Sequence, residues 1–291
     1  MIYSMTGFGK DSAWINGKKV SIEIKSLNSK TLDVNLRLPA YYKSMEFALR
    51  KEISEHLKRG KIDVNIQVEF EENAYQFKLN TSLVNAYVHA LREVAQNHDL
   101  SQQDILAILG RNPDIFINTE INDEQEEQAL LQLLTQCVVR FNDFRRSEGS
   151  VLEDDLLQRI AIMQTLLEKI EKQMPARVVR VKDRLYAQLQ ANFSNNAYDA
   201  NRFEQEIIYY LEKLDITEEI TRLGSHFKYF VENIQAKTSV EKGKKLNFIT
   251  QEMGREINTI GAKANDSQMQ KWVINLKDEL EKIKEQVLNI L

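Results

Sequence analysis

The apolar residues of this chain change their period partway along it, and that change constrains the fold more than any other feature. Early on they alternate with polar neighbours: Val20, Ile22 and Ile24, then Leu32, Val34, Leu36 and Leu38 up to Pro39, then Ile62, Val64, Ile66, Val68 and Phe70. Period two with one apolar face specifies half-buried, largely antiparallel strands. Between them Met45, Leu49, Ile53 and Leu57 recur every fourth residue and predict a helix ending near Gly60. Leu83, Tyr87 and Leu91 predict another over 81–98. From about residue 124 the period is helical. Leu156, Ile160, Met163, Leu167, Ile170 and Met174 step by four and three up to Pro175, the expected break, and Val273, Leu276, Leu280, Ile283, Val287 and Ile290 form a second such seam. Seams of this kind pack helices within one chain as well as between chains. The expected class is α+β. Residues 1–150 form a small, mostly antiparallel sheet with helices on one face, 151–200 a long helical hairpin or connector, and 201–291 a helical module. The polar stretches 192–201 and 236–244 read as connectors.

Composition supports long helices and narrows the function classes. Ten Gly and three Pro among 291 residues leave little room for the turns of a propeller, sandwich or β-helix. A 43% hydrophobic and 28% charged chain can bury a core and stay soluble, which excludes whole-chain disorder. Cys137 is the one cysteine, so there is no disulfide framework and no CxxC motif. The first twenty residues mix apolar with polar ones and no run of eighteen apolar residues exists, so neither a signal peptide nor a membrane span is expected. A reducing cytoplasm fits. The net charge of −4 argues against a generally basic nucleic-acid coat, yet it is unevenly spread. Residues 10–61 hold twelve Lys/Arg against six Asp/Glu, which leaves the rest at about −10. The acidic run Glu120, Asp123, Glu124, Glu126 and Glu127 reads as the first turn of a helix, complementing its N-terminus.

There is no P-loop, no HExxH and no GxSxG, and Gly7-Phe-Gly9 lacks the third glycine of a dinucleotide loop. His56, His89, His98 and His226 form no ligand spacing among themselves. What remains is a polar stripe: Asp215, Glu218, Glu219, Arg222 and His226 share one helix face, opposite Ile216, Ile220, Leu223, Phe227 and Val231. Three acids within five residues repel one another unless a cation compensates. In the second set Glu252, Glu256, Thr259 and Lys263 share a face with Arg255 beside them, opposite Ile249, Met253, Ile257 and Ile260. With the two helices side by side, Glu218, Glu219, Glu252, Glu256 and His226 can surround one hard divalent ion. Carboxylates suit magnesium or manganese, and the imidazole tilts the choice toward manganese or a softer metal. Salt bridges with Arg222, Arg255 and Lys263 explain the same spacing, and both readings stay open here.

At these residues the chain resembles the YicC family of bacterial metal-dependent endoribonucleases. Met5-Thr-Gly-Phe-Gly9, Ser26-Leu-Asn28 to Leu32-Asp33, Leu36-Arg37-Leu38-Pro39 and Arg59-Gly60-Lys61 are similar to the family's first half. In the second half the match is denser: Asp215-Ile216, Glu218-Glu219, Arg222-Leu223, Ser225-His226, Gly243-Lys-Lys-Leu246, Gln251-Glu-Met253, Arg255-Glu256, Asn258-Thr259, Glu281-Lys-Ile283 and Glu285-Gln-Val287. The resemblance implies a cytoplasmic RNA endonuclease needing a divalent cation (Mn2+ or Mg2+), assembled as a homohexamer with RNA in a central clam-like opening. It implies metal and catalytic residues in the C-terminal module, and RNA contacts and subunit packing from the N-terminal one. Three departures from the family stand out. Asn247 stands where Asp is usual, for which an N-cap role is the simplest explanation. Ser29-Lys30-Thr31 replaces His-Arg-Tyr, and Lys284 replaces Arg.

On this reading Glu218, Glu219, Glu252, Glu256 and His226 hold the ion, and His226 is a ligand or the general acid/base. Glu219, Glu252, His226, Arg222 and Arg255 form the catalytic set, in which Arg222 and Arg255, with Lys263, neutralise charge on the phosphate. Lys244, Lys245, Lys263, Arg37, Arg50, Lys58, Arg59 and Lys61 are the candidates for RNA contacts. The rival reading is a non-catalytic oligomeric RNA-binding scaffold or adaptor.

Overall fold

The hairpin that opens the fold is set by its turn. In the computed structural model Asn16 and Gly17 both adopt positive φ, 49° and 74°, the pairing that a two-residue hairpin loop demands. They join β1 (Gly7–Ile15) to β2 (Lys18–Leu27) in antiparallel register, Gly7 opposite Ser26 and Ile15 opposite Lys18. The structure describes residues 2–29, 31–57, 59–70, 78–95, 102–112, 115–117, 124–192, 200–236 and 242–291.

After β3 (Leu32–Arg37) a 3-10 segment (Ala40–Met45) and α1 (Glu46–His56) carry the chain across to β4 (Gly60–Phe70). A helical crossover returns the strand in the same direction. Thus β3 and β4 are parallel, β4 and β2 antiparallel, and the sheet order β1-β2-β4-β3 is mixed. β5 (Lys78–Leu79) and β6 (Phe116–Ile117) pair with each other, with α2 (Thr81–Ala95) and α3 (Gln102–Gly110) between them in the chain. The expected helix over 81–98 is present to Ala95, and residues 96–98 lie outside the described residues.

The longest element is α4 (Glu124–Asn192). Its first part packs on the sheet, where Leu130, Leu134, Cys137 and Phe141 meet Val20, Ile22, Ile24, Ile62 and Val64. Gly9 is required there: a Cβ would stand 2.7 Å from the Cys137 carbonyl oxygen and 2.8 Å from Phe141 Cβ. That close approach, rather than a dinucleotide loop, accounts for the second glycine of Gly7-Phe-Gly9. Burial pushes the Cys137 thiol up to about 12, so it is inert at neutral pH.

Glu124, Glu126 and Glu127 occupy the first turn of α4 as expected, while Glu120 and Asp123 lie outside the described residues. Glu126 does more than complement the helix end. At 3% exposure it accepts hydrogen bonds from Lys18 Nζ at 2.9 Å, Tyr42 hydroxyl at 3.0 Å, Tyr41 hydroxyl at 3.2 Å and Asn16 Nδ2 at 3.3 Å. Burial first, and then the Glu126 charge, push the Tyr42 hydroxyl well above its ordinary range.

Pro175 lies inside α4 instead of ending it. A mid-helix proline costs about 3 kcal/mol through its missing donor and ring clash. Ile170, Arg177 and Val181, buried on both sides of it, hold the helix to the core across the gap. Of the expected hairpin or connector over 151–200, residues 151–192 are thus one continuous helix, and 193–199 lie outside the described residues.

The chain divides into two compact units, Thr6–Phe144 and Met1–Met5 with Arg145–Leu291. The second contains α5 (Ala200–Lys213), α6 (Thr217–Gln235), α7 (Lys242–Ala264) and α8 (Ser267–Val287). Both seams enter one core with these helices: Leu156, Ile160 and Met163 join Leu223, Phe227, Met253, Ile257, Val273, Leu276 and Ile283. The start of the chain is stitched to its end, Met5 N donating to the Asn289 carbonyl at 2.8 Å and Leu291 N to that of Tyr3 at 3.0 Å. The expected connectors fall mostly at 193–199 and 237–241, outside the described residues. Among the described residues no helix is long and apolar enough to cross a membrane.

Candidate functional site

Two amphipathic helices place their polar sides together. Ile220, Leu223, Phe227 and Phe230 of α6 and Ile249, Met253, Ile257 and Ile260 of α7 are buried, which leaves the charged stripes of both helices facing outward. The helices run antiparallel. Glu219 at the start of α6 meets Lys263 near the end of α7, Arg222 meets Glu256 one turn along, and Tyr229 meets Lys245 further on.

Along this stripe the acids are matched with cations. Lys263 Nζ stands 2.7 Å from Glu219 Oε1 and donates to the Asp215 carbonyl at 3.1 Å. Arg222 bonds Glu218 one turn back, and its other terminal nitrogen lies 4.0 Å from Glu256. Arg255 Nη1 lies 3.1 Å from Glu252. His226 is half-buried and makes no hydrogen bond or ion pair with a described residue. The helices therefore bring the five expected ligands onto one surface, with each glutamate turned toward a cation. Among the described residues no three His, Cys, Asp or Glu side chains are grouped closely enough to hold an ion as they stand.

Glu219 differs from the other three glutamates. Only 7% of it is exposed, and its Oε2 is buried with no hydrogen-bond partner among the described residues. An ionised carboxylate with one oxygen on a lysine and the other unsatisfied carries a desolvation cost that a cation, a water or a donor from a ligand would relieve. Hard oxygen donors with one imidazole beside them are a donor set that manganese or magnesium accepts.

Sequence reasoning missed what braces this end of the stripe. Arg177 of α4, 2% exposed, donates from Nη2 to the carbonyls of Leu214 and Lys263, so one guanidinium holds both the segment entering α6 and the last turn of α7. Burial lowers its pKa below that of a free arginine. Nothing in the sequence distinguished it from its solvated neighbours. Asp215, expected on the α6 stripe, precedes the helix and accepts from the Thr217 hydroxyl at 2.7 Å and the Thr217 amide at 3.1 Å. The Thr217 hydroxyl is the main cause of its lowered pKa. A cleft of about 290 Å3 lined by Arg177, Val181, Leu211, Leu214 and Asp215 opens beside it. A second, of about 360 Å3, lies between Arg177, Arg180 and Arg184 and the start of α8.

The expected RNA-contacting residues divide by occupation. Arg37 and Lys61 are exposed on the sheet, and neither makes an ion pair with a described residue. Arg50 is engaged by Glu46 Oε1 and the Val34 carbonyl, both at 2.9 Å, and Arg59 Nε donates to the Ser29 carbonyl at 3.0 Å. These two arginines tie loops and helix to the sheet. Lys30 and Lys58 lie outside the described residues. Lys244 and Lys245 are exposed in the first turn of α7, and the Lys245 ammonium lies 4.9 Å from the centre of the Tyr229 ring. Asn247 is not an N-cap. It lies inside α7, five residues past Lys242, with its carbonyl accepting from Thr250 Oγ1 at 2.7 Å. Lys284 pairs with Glu281 on its own helix.

Two aromatic side chains on the stripe also went unread. Tyr229 follows Arg222 by seven residues and Phe248 precedes Arg255 by seven, and they are 44% and 62% exposed. Their spacing was the signal: seven residues is two turns, within about 20° of the same face.

The sequence comparisons cover both halves of the chain. Residues 2–154 match the model described as "Endoribonuclease YicC-like, N-terminal region", and residues 170–291 that described as "Endoribonuclease YicC-like, C-terminal". The probable endoribonuclease YicC of Clostridioides difficile (strain 630) is 30% identical over 297 residues, covering the whole of both chains. That of Haemophilus influenzae (strain Rd) is 29% identical over 291 residues, again full length on both sides.

Proposed function

This chain belongs to the YicC-like endoribonuclease family, and from that premise we propose that it cleaves RNA phosphodiester bonds on the α6–α7 face with the help of a divalent metal ion. The observation that carries the reading is Glu219, a buried carboxylate with Lys263 on one oxygen and, among the described residues, no partner on the other. Glu219, Glu218, Glu252, Glu256 and His226 would hold the ion, manganese or magnesium. Such an ion supplies polarisation of a phosphate oxygen and a more acidic bound water.

The remaining steps belong to the protein. Arg222, Arg255 and Lys263 neutralise the glutamates in the resting arrangement. A phosphodiester brings its own charge, so Lys263 and Arg222 can pivot from carboxylate to phosphate and stabilise the transition state. His226 carries no competing hydrogen bond from a described residue, and where the glutamates alone hold the ion its imidazole moves a proton at the attacking or leaving oxygen instead. Arg177 keeps Lys263 and Leu214, the residue before Asp215, in place. The matched charges are also the observation that favours the second reading, an RNA-binding scaffold without chemistry.

Incubation of the purified protein with single-stranded and structured RNA in manganese, in magnesium and in EDTA separates the two. Cleavage that stops in EDTA and in Glu219→Ala, with the variant still folded, is the expected result. RNA binding without cleavage in either metal would establish the scaffold instead.

A further inference from the structure

We propose that Tyr229 and Phe248 form a stacking platform for unpaired bases of single-stranded RNA, next to the candidate catalytic set, with Lys245 serving the adjoining phosphate. The inference rests on the RNA-cleaving reading and names the form of RNA that face takes.

The outward side of a helix pair in water is normally charged or polar. Here the stripe is charged through Glu219, Arg222, Glu256, His226 and Glu252, and then turns aromatic. Tyr229 lies one turn beyond His226 on α6, and Phe248 one turn before Glu252 on α7. Both rings are large, substantially exposed and on the charged side rather than the apolar one. A single exposed aromatic needs no explanation, but two on one stripe beside a lysine held over one of them do.

Charge selects the occupant. The far end of the stripe carries Lys244 and Lys245, and the near end carries Glu218, Glu219, Glu252 and Glu256. A polyanion is drawn to the lysines and gains less where each glutamate already holds a cation, so an RNA strand is anchored at the platform before its phosphate reaches the acids. One helical turn is about 5.4 Å, so a base beside the phosphate handled at His226 reaches the Tyr229 ring. Rings offer their faces to any base, giving tolerance of sequence and a preference for unpaired over duplex RNA, whose bases are already stacked.

The test uses the full-length protein, its metal, and a single-stranded RNA whose cleavage position has been mapped, alongside the same RNA with an abasic nucleotide next to that position. Tyr229→Ala and Phe248→Ala are expected to raise KM about tenfold or more, with kcat within twofold, while Tyr229→Phe stays near the parent. The abasic RNA should lose a similar factor with the parent protein and little more with the alanine variants, because both changes remove one contact. Both side chains are exposed, so circular dichroism should be unchanged. Unaltered KM in both alanine variants, with the parent still cleaving, overturns the platform and leaves the RNA-cleaving reading intact. A changed assembly mass with KM unchanged makes the patch a contact between copies, which also overturns it. If the parent cleaves nothing, affinity for the same RNA in EDTA decides: a tenfold loss in the alanine variants supports the platform, and equal affinity overturns it.

Discussion

Glu126 and Glu219 occupy the same local position, third residue of a helix with an acidic neighbour, and both are buried against a lysine. Their surroundings differ. Glu126 is saturated by Lys18, Tyr41, Tyr42 and Asn16, so its charge is spent on fixing the start of α4 to the sheet hairpin and the 3-10 segment. Glu219 has Lys263 on one oxygen and, among the described residues, nothing on the other. A buried carboxylate whose partners are complete is a fastener, and one left incomplete has capacity to receive something else.

The comparison breaks most visibly at Glu126. Glu126→Ala leaves the half-buried Lys18 without its anion and the buried Tyr42 hydroxyl without its acceptor, and should lower stability by about 3–5 kcal/mol in urea denaturation. A loss under about 1 kcal/mol would mean that the network is not structural. For Glu219 the opposite balance is expected. Glu219→Gln keeps the shape, should change stability by under about 1 kcal/mol, and should slow RNA cleavage on the order of a hundredfold. A variant that cleaves normally would remove Glu219 from the site.

A third carboxylate sharpens the contrast within the helical unit. Asp266 accepts from the amides of Gln268 and Met269 at 3.0 Å and pairs with Arg180, so it is saturated like Glu126. Burial pushes its carboxyl up, but the Met269 amide and Arg180 outweigh that and hold it below the usual carboxylate range. Its stabilising contribution is thus complete above about pH 4 and is lost as pH falls through the lower folded value. Asp266→Ala should cost about 1 kcal/mol at neutral pH, and thermal melts should show a smaller acid-side decline than in the parent. The smallest effect belongs to Arg255, whose side chain is 75% exposed beside Glu252. Arg255→Ala should shift stability by under about 0.5 kcal/mol, so any clear loss of cleavage would come from phosphate charge and not from folding.

Much of the fold was legible because its signals are local. The alternation in β2 and β4, the four-residue step of α1 and the heptad seams each bury the residues they nominate: Ile22, Val64, Leu49, Ile160 and Leu276 are all enclosed. The parallel pairing of β3 was not legible, because it depends on where α1 returns the chain. Nor was the passage of α4 through Pro175, which is decided by packing around Ile170 and Val181. At the candidate site the charged members of the polar stripes were readable from spacing, including every acid now paired with Arg222, Arg255 or Lys263, whereas Tyr229 and Phe248 went unread and Asp215 precedes the helix.

The sequence by itself determined which residues share a helix face, because a helix repeats every 3.6 residues whatever surrounds it. Only the tertiary structure decided what each of those residues touches. Glu126 and Glu219 read alike along the chain, and partners between 84 and 110 residues away complete the first, while a cross-helix lysine, 44 residues away, half-completes the second. Local rules carry no information about such distant partners, and burial makes the difference between a finished carboxylate and an unfinished one matter energetically.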